Sequence, residues 1–140
     1  MKAKDYLGQL EKLDRLIENK LAEKQRWKNI ALNISPNVGG ERVQSSGNKQ
    51  KMADAIHRYI DLEREIDECV DRFVDKRKEI IATLEQLPAI EYDVLHKMYV
   101  QRMDYYGVAD AYKKSYSWAT SVHGRALQRL QDILNKRPEA

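Results

Sequence analysis

Apolar residues recur at intervals of mostly three and four along residues 1–34, a stretch with no proline and one glycine, Gly8. This spacing predicts a long helix with one broad apolar face, formed by Leu7, Leu10, Leu13, Ile17, Leu21, Trp27, Ile30 and Ile34. Residues 35–48 then hold half of the six glycines and a proline, with almost no apolar side chains. Their composition predicts a long loop between helices.

A second periodic stretch begins near Asn48, the predicted N-cap, and continues without glycine or proline to Gln86. Ten positions from 52 to 84 alternate steps of four and three, and all but Glu63 and Arg77 are apolar. The pattern predicts a coiled-coil seam on a helix about 60 Å long, with Met52, Ile56, Tyr59, Ile66, Val70, Phe73, Ile80 and Leu84 on the seam. Such a helix needs a partner: the first helix, folded back antiparallel, or a second copy of the chain.

Leu87-Pro88 marks the end of the long helix, because proline lacks a backbone donor and disfavours helix in the residue before it. Three further helices are predicted: one within 88–102, a short one capped by Asp104 and ending at Tyr112, and a last one capped by Ser115 or Ser117 and ending at Leu134. The predicted fold is therefore all-α. Residues 1–86 form a helical hairpin for oligomerisation or partner binding, and residues 87–140 form a separate domain.

Composition narrows the class of protein. The chain has 140 residues and a net charge of +3, a length that suits one or two small domains and excludes a large multidomain enzyme. The lone Cys69 excludes an intramolecular disulfide, and a free thiol favours the cytoplasm. No apolar run approaches the ~18 residues of a membrane span, so we expect no membrane partner.

No pattern of catalytic or ligand-binding residues is evident. The three histidines, His57, His96 and His123, lack metal-ligand spacing and are expected at the surface or partly buried on helices. The loop also lacks the lysine-serine ending of a phosphate-binding P-loop. We therefore expect no metal, no cofactor and no enzymatic activity.

The short helix and the last helix have the proportions of a helix-turn-helix, whose second helix enters the DNA major groove. In such a unit Val108, Ala109 and Tyr112 face Ala119, Val122 and Leu127. The beginning of the last helix then presents the candidate base-reading residues Tyr116, Ser117, Thr120 and Ser121, with Gly124 allowing close approach.

Residues 88–134 resemble region 4 of sigma-70-type factors. The resemblance rests on Val108-Ala109, on Ser115 ending the turn, on Arg125-Ala126-Leu127, and on Glu91 separated by two residues from an apolar pair. The whole chain is similar to the ArpU and RinA type of late transcription regulators from phages and prophages of Gram-positive bacteria. That resemblance implies a phage-encoded regulator of late genes in the bacterial cytoplasm.

Two features depart from the sigma-factor pattern. Lys113 stands where the turn often has glycine, and lysine enters the left-handed region at modest cost. The last helix begins with Tyr116-Ser117-Trp118 in place of the arginine and glutamate usual in promoter-reading factors.

Charge is distributed unevenly along the chain. Residues 113–137 carry six basic side chains and one acid, whereas residues 49–86 carry eight basic and ten acidic ones. A local net charge of +5 favours phosphate contacts, for which the candidates are Lys113, Lys114, Arg125 and Arg129.

The expected partners are double-stranded DNA, host RNA polymerase and a second copy of the chain. The loop at 35–48 is expected to be disordered, with a polymerase or DNA contact through Arg42 as the alternative. Two other functions remain open: a DNA-packaging adaptor similar to a phage terminase small subunit, and a purely protein-binding coiled coil. Oligomer size and salt-dependent DNA binding distinguish the three.

Overall fold

A computed structural model of the chain describes residues 1–34 and 46–138. The described residues form helices and contain no strand, as the sequence predicts for an all-α protein. The helices are α1 (Ala3–Ile34), α2 (Ser46–Leu84), α3 (Ala89–Leu95), α4 (Tyr105–Tyr112) and α5 (Tyr116–Asn135). Most of the predicted loop, with Arg42, lies outside the described residues.

The boundaries of α2 differ slightly from the prediction. The helix begins at Ser46, so Asn48 lies inside its first turn and is not the N-cap. It ends at Leu84, before Gln86, and a tight turn follows in which the amide of Leu87 donates to the carbonyl of Leu84 at 3.0 Å. Proline at 88 then prevents the helix from continuing.

The chain divides into two compact units that do not follow the predicted boundary at 86/87. The middle unit is Leu13–Arg72, and the terminal unit is Met1–Lys12 with Phe73–Ala140. The predicted boundary at 86/87 divides the chain by function and not by packing, and this functional division stays a prediction.

In the middle unit the buried line of α2 contains Ala55, Leu62, Ile66 and Cys69. Lys20 of α1 pairs with Glu65 of α2 at 3.4 Å, and Lys24 pairs with Glu63 at 3.2 Å. Positions later in α1 therefore meet positions earlier in α2.

The predicted seam of α2 divides into buried and exposed positions. Ile66, Ile80 and Leu84 are buried, whereas Ile56 and Val70 are 43% and 38% exposed; Met52, Tyr59 and Phe73 are half-buried. The buried line lies one residue away, at Ala55, Leu62 and Cys69, and shares positions 59, 66, 73 and 80 with the predicted seam. Glu63 and Arg77 are exposed because they do not lie on this line.

The terminal unit has two hydrophobic clusters. The first joins the beginning of α1, the end of α2 and the distal half of α5 through Leu7, Leu84 and Leu130. The hydroxyl of Tyr6 donates to Glu79 Oε2 at 2.8 Å and lies 3.0 Å from Thr83 Oγ1. The second cluster lies between α3, α4 and the proximal half of α5.

The predicted helix within 88–102 has an irregular second half. After α3, residues His96–Val100 form a π-helical segment, and the amide of Gln101 donates to the carbonyl of His96 at 3.0 Å. Arg102 then takes a positive φ of 64°, which redirects the chain toward α4.

Candidate nucleic-acid interface

The first helix of the predicted helix-turn-helix is capped by Asp104, as predicted, and the second is capped by Ser115, one of its two predicted caps. The carboxylate of Asp104 accepts from the amide of Gly107 at 2.8 Å, and Ser115 Oγ accepts from the amide of Trp118 at 3.0 Å. Each cap satisfies an amide that the first helical turn leaves without a partner. Ser115, and not Ser117, is therefore the N-cap of α5.

A Schellman motif ends α4. Lys113 has φ 55° and ψ 44°, and its amide donates to the carbonyl of Asp110 at 3.1 Å. The amide of Lys114 donates to the carbonyl of Ala109 at 2.9 Å. Lysine thus occupies the left-handed position at which glycine is usual, as expected from the sequence.

The second cluster holds α4 against α5. Its buried members are Val94, Val108, Ala109, Ala119 and Val122, with Tyr112 and Trp118 half-buried against them. The sequence pairs Leu127 with this cluster incorrectly, because Leu127 packs against the first cluster. Burial of the small Ala109 and Ala119 lets the two helices approach closely.

The opposite face of α5 carries the candidate base-reading residues. Tyr116, Ser117, Ser121 and Gly124 are exposed. Thr120 is half-buried, and its hydroxyl donates to the carbonyl of Ser117 at 2.9 Å. A Cβ added at Gly124 meets nothing within 4 Å, so packing within the described residues does not require glycine there.

An aromatic group lies where α4 and α5 begin. Tyr116 is 46% exposed, and its ring contacts Tyr106 at 4.8 Å and Tyr105 at 5.4 Å between centroids. Tyr106 is 71% exposed and was not among the predicted site residues. It lies two residues after Asp104, in the first turn of α4.

His123 is buried on α5, which corrects the expectation that it lies at the surface or is only partly buried. Its Nε2 lies 2.8 Å from the hydroxyl of Tyr99, and its Nδ1 lies 2.9 Å from the hydroxyl of Tyr105. Burial, with a smaller effect from Lys4, lowers the pKa of His123 below its usual value. Burial also raises the pKa of Tyr99 to about 12. A neutral imidazole therefore links α5 to two tyrosines.

The candidate phosphate-binding residues fall into two pairs. Lys113 and Lys114 are exposed at the turn. Arg125 and Arg129 are more than half exposed, but their Nε atoms lie 3.2 Å and 3.0 Å from Glu91 Oε1. Glu91 has a side chain only 3% exposed and was not predicted as a site residue.

Arg137, the last basic residue in the local charge count, is exposed and makes hydrogen bonds to α1 and α2. Its guanidinium donates to the hydroxyl of Tyr6 at 3.3 Å and to Thr83 Oγ1. It therefore supports the junction of α1, α2 and α5.

No family model, curated protein or solved structure matches the chain. Across residues 1–34 and 46–138, no three side chains of the ligating types lie close enough to hold a metal ion. None of the described helices has the length and apolar character needed to cross a bilayer.

Proposed function

We propose that the chain is a phage-encoded, sequence-specific DNA-binding regulator of transcription. It would act by binding a promoter and recruiting RNA polymerase to late genes, without catalysing a reaction. The observation that carries this proposal is the α4-turn-α5 arrangement: an eight-residue helix, a left-handed turn residue and a separately capped 20-residue helix. These are the parts of a helix-turn-helix.

The two faces of α5 support the same proposal. Ala119, Val122 and Ala126 are buried, whereas the side toward solvent carries small polar groups and arginines. Serine and tyrosine hydroxyls reach base edges, and basic side chains bind phosphates. The resemblance to sigma region 4 and to late regulators adds the phage origin and the late-gene role.

The N-terminal part is proposed to form an antiparallel hairpin that joins two copies of the chain or contacts polymerase. The ion pairs of Lys20 and Lys24 with α2 support the antiparallel direction. Exposed Ile56 and Val70 leave apolar surface for a partner. Light scattering at micromolar concentration tests self-association, and a monomeric mass removes the dimer from the proposal.

Salt dependence of DNA affinity tests the proposal most simply. Duplex binding should weaken steeply with salt as phosphate contacts release counterions. Lys114→Ala should weaken binding to every duplex and reduce the salt slope by about one unit. Absence of duplex binding at low salt would contradict the proposal and favour a protein-binding coiled coil. Ring-sized oligomers bound to a packaging site would select the packaging adaptor.

Sequence preference tests the reading face. Ser121→Ala and Tyr116→Ala should change the ranking of duplexes, because a base contact contributes about 1–3 kcal/mol of discrimination. Equal losses on all duplexes would remove both residues from the reading set. Competition binding with a panel of single-base variants of one preferred duplex measures the difference.

A further inference from the structure

Glu91 places a buried carboxylate beneath two arginines. It lies in the first turn of α3, and its side chain is 3% exposed. One oxygen, Oε1, accepts from Nε of both Arg125 and Arg129, at 3.2 Å and 3.0 Å. The other oxygen, Oε2, is buried and has no hydrogen-bond partner among the described residues.

The two contacts use only one donor of each guanidinium. Arginine has five N–H donors in a rigid planar fork. Within the described residues, the side chains of Arg125 and Arg129 make hydrogen bonds to Glu91 through Nε and none through their terminal nitrogens. Both side chains are more than half exposed. Because residues four apart share one face of a helix, the two guanidinium groups form an adjacent pair with their inner ends fixed and their outer ends toward solvent.

We propose that Glu91 is a positioning residue that orients Arg125 and Arg129 to bind a backbone phosphate of double-stranded DNA. This inference rests on the proposed function. A free arginine loses rotamer entropy when it binds, and the buried carboxylate removes part of that loss before DNA arrives. Glu91 also offsets the mutual repulsion of the two guanidinium groups.

For Glu91→Gln, the proposal predicts a change in DNA affinity opposite to the change that net charge alone predicts. Glu91→Gln removes a negative charge close to the DNA surface, which by charge alone strengthens DNA binding. We expect binding to weaken about tenfold, because ordering of charge-assisted hydrogen bonds to phosphate is lost. The salt slope should also decrease by about one phosphate contact.

Glu85→Gln is the matched control. Glu85 is exposed in the turn after α2, and its substitution removes the same charge without touching the arginines. It should leave DNA affinity unchanged or raise it slightly. Circular dichroism and thermal melting of each variant report whether it folds.

Arg129→Lys decides the question if Glu91→Gln does not fold. Lysine keeps the charge but lacks the planar fork, so the proposal predicts weaker DNA binding at unchanged net charge.

Fluorescence anisotropy with one labelled duplex, measured across salt concentrations, is the experiment. Weaker binding and a smaller slope for Glu91→Gln, beside an unaffected Glu85→Gln, support the proposal. A folded Glu91→Gln protein that binds as tightly as the native chain, or more tightly, with an unchanged slope overturns it while leaving the proposed function intact. No duplex binding by the native chain overturns the proposed function and this inference with it.

Discussion

Gly124 on α5 allows fold stability and DNA binding to be separated with one methyl group. A Cβ built at this position meets nothing within 4 Å, so Gly124→Ala introduces no clash in the free protein. Alanine in a helix interior is favoured over glycine by about 1 kcal/mol. We therefore expect a rise in the free energy of unfolding of about that size, seen as a melting temperature about 2–4 °C higher.

The same methyl group is expected to weaken DNA binding. If Gly124 allows α5 to approach the groove closely, the added Cβ holds the helix away from base contacts worth about 1–3 kcal/mol each. A loss of about 1 kcal/mol corresponds to roughly fivefold in affinity. Fluorescence anisotropy with a preferred duplex measures it.

Gly8→Ala is the control, because Gly8 also lies inside a helix with open space around its Cβ position. It should stabilise the fold by about the same 1 kcal/mol and leave DNA affinity unchanged. Native affinity for Gly124→Ala would refute the close-approach role of Gly124. A destabilised Gly124→Ala protein would refute the open-space assignment.

Three further substitutions test local features of the fold. Lys113→Gly should raise the free energy of unfolding by about 0.5–1 kcal/mol, since the left-handed conformation strains a residue with a Cβ. Urea denaturation measures this change, and the control Lys114→Gly should give no gain in stability. Ser115→Ala should lower stability by about 1 kcal/mol through loss of the cap, whereas Ser115→Asp should retain most of it in the same assay. Burial lowers the pKa of His123 in the folded state below its ordinary value of 6.5. As the pH falls through 6.5, the unfolded chain therefore binds a proton at His123 more readily than the folded chain does, and the free energy of unfolding should decrease. His123→Gln should reduce this pH dependence in melting experiments between pH 5 and 8, and an unchanged profile would contradict the assignment.

Local signals in the sequence predicted where α4 begins and limited the N-cap of α5 to Ser115 or Ser117. Asp104 and Ser115 each precede a helix and cap it through a hydrogen bond over three residues, so no distant part of the chain is needed to locate them. The left-handed turn at Lys113 is local for the same reason.

The buried line of α2 shows where the sequence pattern is ambiguous. Two stripes with steps of four and three share positions 59, 66, 73 and 80 and differ by one residue elsewhere. The pattern favoured Ile56 and Val70 because they are more apolar than their neighbours Ala55 and Cys69. The position of the partner helix decides which stripe is buried, and that position is a tertiary property.

Glu91 could not be predicted as part of the site from local pattern. A glutamate on a short helix usually faces solvent, and its partners Arg125 and Arg129 lie 34 and 38 residues away. Only packing of α3 against α5 brings the three side chains together. The burial of His123 depends in the same way on Tyr99 and Tyr105.

Selection from a pool of random-sequence DNA duplexes tests the central claim most directly. The native chain should enrich one sequence motif, and a parallel selection with Ser121→Ala should alter preference at a limited set of positions within it. Failure of the native chain to enrich any motif at low salt, with the protein folded, would contradict a sequence-reading role for α5.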